Sequence, residues 1–157
     1  MRTIRDDDEA LLATFGRLLL VVTREAPSVA SFAVFRDALR QHLSRLEGKV
    51  YVFAVLRAPR PRMDPEVRAM MLALWKECGD RLVFAVWPAR SSFAGALQLS
   101  FITAVSLLRL SRSPIKVVHG TAAAVDFFGE HDPELLPHRE AWIEAVDEAL
   151  AEPAGTK

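Results

Sequence analysis

Six charged side chains crowd one short stretch of the chain, RAPRPRMDPEVR: Arg57, Arg60, Arg62 and Arg68, with Asp64 and Glu66 opposing them. Arginine presents a planar fork of N–H donors that matches carboxylate and phosphate oxygens. Arg90, Ser91 and Ser92 open a later segment, and His119 follows another. If the chain folds as an open α/β sheet, all of these fall at the carboxyl ends of strands, where such sheets meet ligands and partners. Helices starting near Asp64 and Ser91 add partial positive charge there. The chemistry offered is recognition of an anionic ligand, a phosphate group or an acidic partner surface. The plainer reading is a solvated rim of arginines. No glycine-rich cradle is present, and Pro59 and Pro61 stiffen the loop and remove donors.

The other reactive residues are scattered. His42, His119, His131 and His138 form no pair at metal-ligand spacing on one element, and no metal is expected. His131 and His138 share a stretch with Glu130, Asp132 and Glu134, read as a solvated loop. His119 follows the last strand on the candidate edge, with no nucleophile beside it in sequence. Cys78 is the only cysteine, which excludes an internal disulfide and any multi-cysteine zinc site. Its place on an apolar helix stripe makes it a small core residue. No nucleophile elbow, dinucleotide glycine fingerprint or kinase signature occurs. The expectation is a non-enzymatic protein without cofactors.

Composition supports a folded domain. The chain has 157 residues, half of them apolar, with 20 basic and 20 acidic side chains. That length suits a single domain with a substantial core. The balanced charge offers no global field to recruit nucleic acid or a membrane. The aromatics Phe53, Phe84 and Trp87 sit in expected strands and read as core, not as base-stacking platforms. The first residues, MRTIRDDDEA, are too acidic and polar for a signal peptide, so a cytoplasmic protein is expected.

The elements that would position these residues alternate. Ala10–Gly16 reads as an edge strand and Leu18–Thr23 as a second strand, joined by a turn at Phe15-Gly16-Arg17. Ser28 or Ser31 caps a helix carrying Phe32, Phe35, Leu39, Leu43 and Leu46 at helical spacing, which Gly48 ends. Val50–Leu56, VYVFAVL, has no polar alternation, as expected of a strand buried on both faces. Asp64 caps the next helix, Pro65 takes its first position and Gly79 stops it, with Val67, Met70, Met71, Leu74, Trp75 and Cys78 on its apolar stripe. Leu82–Trp87 repeats the doubly buried pattern. Ile115–Val118 is a short strand, and Thr121 caps a short helix. A polar loop with Pro133 and Pro137 precedes a last helix near residues 137–152, with Trp142, Val146 and Leu150 at four-residue spacing. The order is β-β-α-β-α-β-α-β-α plus a C-terminal helix, a mixed but mostly parallel sheet with helices packed on it. Right-handed crossovers make the last three strands parallel to the second.

One helix stands apart. Residues 92–110 read SFAGALQLSFITAVSLLRL, apolar nearly all round and close to the length of a membrane span. Regular strands on both sides argue against insertion. Burial under the C-terminal helix or against a second subunit is expected, with Gly95, Ala96 and Ser100 allowing close approach. Phe93, Leu97, Phe101 and Leu108 are the candidate interface of a homodimer.

From about Leu11 to Phe128 this order resembles a STAS domain, the fold of bacterial anti-sigma-factor antagonists, in a divergent stand-alone form. The resemblance is carried by Met63-Asp64-Pro65-Glu66-Val67-Arg68, by Val83-Phe84-Ala85-Val86, and by Phe93 leading into the apolar helix. Ile115-Lys116-Val117-Val118, followed by Thr121-Ala122-Ala123-Ala124-Val125-Asp126-Phe127-Phe128, completes it. These are apolar patterns whose weight lies in order and spacing. The resemblance implies one STAS-like domain, with a core at about 10–128, and a regulatory role exercised by binding a protein partner. Antagonists of this type carry a phosphorylatable Ser or Thr at the start of the helix that here begins with Asp64-Pro65. Residues 57–65 contain no hydroxyl side chain, so the switch is not expected. The alternative function is a binding domain for a small anionic or amphipathic ligand at the basic edge.

Overall fold

The computed structural model describes residues 1–57, 64–88 and 113–151. Its described strands form one sheet in strictly sequential order: β1 (Arg2–Asp6), β2 (Ala10–Phe15), β3 (Leu18–Thr23), β4 (Val50–Leu56), β5 (Leu82–Pro88) and β6 (Ile115–Val117). β1, β2 and β3 pair antiparallel, and β3 through β6 pair parallel. The described α-helices are α1 (Val29–Arg45), α2 (Pro65–Cys78), α3 (Thr121–His131) and α4 (Arg139–Ala151).

The doubly buried reading of the central strands is correct, and alternation along β4 shows how. Tyr51, Phe53 and Val55 join the core under α3 and α4, with Phe128, Trp142 and Val146. Val50, Val52 and Ala54 join the opposite core under α1 and α2, with Leu39, Leu74 and Trp75. Successive side chains point to opposite faces, so a strand covered on both sides must be apolar at every position. Each fully buried large side chain contributes roughly 1.5–3 kcal/mol. Phe53 and Trp87 stack at 6.4 Å on one face, and Trp75 meets Phe84 edge-on at 5.0 Å on the other.

The caps follow local rules. The Ser28 hydroxyl accepts from the Ser31 backbone N–H at 3.1 Å, which starts α1 at Val29. Asp64 accepts from the Glu66 N–H at 2.7 Å and Pro65 opens α2. Gly79 (φ 59°) closes α2 with its N–H on the Trp75 carbonyl. The turn between β2 and β3 uses Gly16 at φ 55°, a left-handed conformation that glycine adopts without a Cβ clash.

Four expectations need correction. Ala10–Phe15 is not the edge strand, because β1 pairs outside it. An edge strand needs only a backbone partner, so the polar RTIRD qualifies, and its register shift between Thr3 and Arg5 blunts the exposed edge. The acidic run after it is a turn in which Asp7 accepts from the N–H groups of Glu9 and Ala10, both at 3.0 Å. Thr121 does not cap α3. Gly120 holds the cap position, and the buried Thr121 hydroxyl donates to Asp147 at 2.5 Å. Pro133–His138 is a 3-10 turn, not an open loop, started by Asp132 accepting from the Glu134 N–H, and α4 begins at Arg139.

Candidate functional site

The parallel register brings Thr23, Leu56 and Pro88 level at one edge, with β6 ending beside β5. Arg57 and His119 leave this edge directly. Asp64 is the N-cap of α2. Of the candidate residues, Arg57, Asp64, Arg68 and His119 are described. Arg60, Arg62, Arg90, Ser91 and Ser92 lie outside the described residues, as do the candidate interface residues Phe93, Leu97, Phe101 and Leu108 and the rest of the long apolar segment.

The four described residues do different things. The Arg57 backbone N–H donates to the Thr23 carbonyl at 2.8 Å, extending the β3–β4 ladder by one bond. Its Nη2 donates to the Leu150 carbonyl at 3.0 Å, at the last turn of α4. A cation there satisfies a carbonyl with no helical partner and complements the negative end of the helix dipole. Asp64 caps α2 through both its carboxylate and its carbonyl, which accepts from the Arg68 N–H at 2.9 Å. Arg68 and His119 are exposed. Arg57 therefore leans towards α4 on one face, whereas Asp64 and Arg68 belong to α2 on the other. No hydrogen bond or ion pair joins any two of these four side chains among the described residues. Among the described residues the edge is a charged fringe spread over the sheet's thickness, not a converged pocket of reacting groups.

A partly buried polar cluster lies at the opposite, amino edge. Tyr51, fully buried on β4, donates its hydroxyl to Asp132 Oδ2 at 2.7 Å. Arg17, in the β2–β3 turn, approaches the same oxygen at 3.4 Å. Lys49 donates to the His131 carbonyl at 2.8 Å, where α3 ends. The Tyr51 ring rests on Phe128 and Trp142 at 5.2 and 5.9 Å. Burial, and then the hydrogen bond to Asp132, push the Tyr51 phenol far above the ordinary tyrosine range. A phenol held protonated is neither a base nor a nucleophile near neutral pH. The cluster is a latch that ties the end of α3 to the sheet. Its one visible sequence signal is the chain's single tyrosine inside a doubly buried strand, whose hydroxyl must find a partner.

His131 closes α3, edge-on to Phe127 at 4.9 Å, and burial lowers its basicity. Among the described residues no three His, Cys, Asp or Glu side chains are grouped to hold a metal ion, and no helix is long and apolar enough to cross a membrane. Cys78 is buried, and its thiol is pushed up to about 11, chiefly by burial. Comparison with protein-family models, with curated proteins and with solved structures finds no match for this chain.

Proposed function

We propose that this chain is a STAS-like, non-enzymatic regulatory module that binds a protein partner through the carboxyl edge of its sheet. The observation that carries the reading is the start of α2. There an exposed aspartate, Asp64, spends its carboxylate on the Glu66 N–H of the helix, at the position where the resembled antagonists carry a phosphorylatable hydroxyl. Regulation by phosphorylation at that position has no acceptor, so recognition rests on a permanent charge pattern. The exposed Arg68 and His119 and the arginines Arg60 and Arg62 supply that pattern. A small anionic ligand at the same edge is the weaker reading, because the Arg57 guanidinium already serves the end of α4.

The test is affinity capture from the native host with in-cell cross-linking to identify the partner. The Arg60→Glu/Arg62→Glu and Arg68→Glu proteins are run beside the wild type. Charge reversal is expected to abolish recovery of that partner while circular dichroism and melting temperature stay unchanged. Equal recovery with all three proteins refutes the basic edge as the contact.

A further inference from the structure

A second, separate basic site lies at the outer corner of the amino edge, between β1–β2 and the end of α1. A cleft of about 220 Å³ is lined there by Arg2, Thr14, Gln41, His42 and Arg45, with Thr3, Ile4 and Ala38 completing the wall. Every side chain in this wall that carries a charge at neutral pH is an arginine, and no carboxylate lines it. Among the described residues neither Arg2 nor Arg45 makes an ion pair, although nine other basic–acidic pairs are satisfied, such as Arg40 with Glu77 and Arg139 with Asp126.

Basic side chains late in a helix ordinarily answer its negative end. That explanation does not account for Arg45, because Arg81 already does the work. Its guanidinium donates to the carbonyls of Leu43 and Leu46 at 3.0 and 2.5 Å, and to Gly48 at 3.0 Å. The helix end is closed from the far side, and Arg45 stays exposed at the cleft. Arg2 is brought opposite by β1, where it pairs with Thr14 of β2. Two like charges face one concavity without a counterion among the described residues, and this is the arrangement a bound anion relieves. The volume is below that of drug-sized sites and suits a phosphate with at most a small organic group.

We infer that this cleft binds the phosphate group of inorganic phosphate or of a small phosphate monoester, held by Arg2 and Arg45 with Gln41 as a neutral donor. The full chain is titrated with inorganic phosphate, with glycerol phosphate and with glycerol, at constant ionic strength set with chloride, and followed by amide NMR. Saturable shifts are expected for both phosphates, confined to the amides around Thr3, Thr14, Gln41 and Arg45, with none for glycerol. Arg2→Gln and Arg45→Gln are each expected to weaken binding about tenfold or more. Both residues are exposed, so the fold is retained, and Lys116→Gln on the far edge strand leaves the affinity unchanged. Response to the ester alone narrows the ligand to phosphate esters and upholds the site. Absence of saturation up to tens of millimolar, or affinities equal in wild type and both arginine variants, overturns it.

Discussion

Replacing Tyr51 by phenylalanine removes one oxygen from the interior and tests whether the amino-edge latch holds α3 to the sheet. The ring contacts with Phe128 and Trp142 survive, so the change isolates the hydroxyl. That hydroxyl donates to Asp132 at 2.7 Å, and a hydrogen bond to an ionised acceptor contributes about 1.5–3 kcal/mol. The Asp132 side chain keeps 14% of its surface exposed and retains Arg17 at 3.4 Å, so the lower part of that range applies. The expected loss is about 1.5–2 kcal/mol, a sizeable share of a typical stability of roughly 5–15 kcal/mol. It should appear as a fall in melting temperature of roughly 3–8 °C. Urea unfolding followed by tryptophan fluorescence should show a lower midpoint with an unchanged slope. Asp132→Asn, which keeps a capping side chain, should not add fully to Tyr51→Phe: a coupling of about 1 kcal/mol is expected in the double-mutant cycle. The alkaline limb gives an independent check. The folded-state phenol titrates above the unfolded one, so its contribution is complete below about pH 10 and is lost as pH rises through and beyond that value. Wild type and Tyr51→Phe should therefore converge in stability above about pH 10. A variant within about 0.3 kcal/mol of wild type, or strict additivity with Asp132→Asn, refutes the latch.

Two further outcomes follow from single contacts. Arg57→Gln removes the cation from the Leu150 carbonyl and should cost about 1–2 kcal/mol. Faster amide exchange is expected in the last turn of α4, with α1 unchanged. Cys78 is buried with its thiol raised to about 11, so iodoacetamide should leave it unmodified in the native protein at pH 8 and alkylate it readily in urea. Rapid native alkylation would show that α2 does not seal the core as described.

The central frame was legible because its rules are local. An unbroken apolar run in VYVFAVL or LVFAVW can be accommodated only where both faces are covered. A cap such as Ser28 or Asp64 finds its donor within three residues. Glycine at 16, 48, 79 and 120 marks the places among the described residues where the backbone turns to positive φ. The candidate edge was also legible as a set of residues, since strand order alone places Arg57 and His119 at the same end. The separation of Arg57 from Asp64 and Arg68 across the sheet's thickness was not, because it depends on which face each flanking helix covers.

What the sequence alone determined, then, is the order of the described elements from β2 onward and the burial of β4 and β5. Both follow from side-chain period and from partners one turn away. Tertiary structure decided everything that depends on distant partners. The polar β1 becomes a strand because β2 offers it free backbone groups. The Thr121 hydroxyl leaves its own helix for Asp147, 26 residues on. Tyr51 finds Asp132 across 81 positions and Arg57 finds Leu150 across 93. Arg2 and Arg45 share a cleft only because an edge strand folds beside a helix end. The reason is physical: hydrophobic pattern dictates which face is buried, whereas a polar group takes whichever partner packing brings within 3 Å or so.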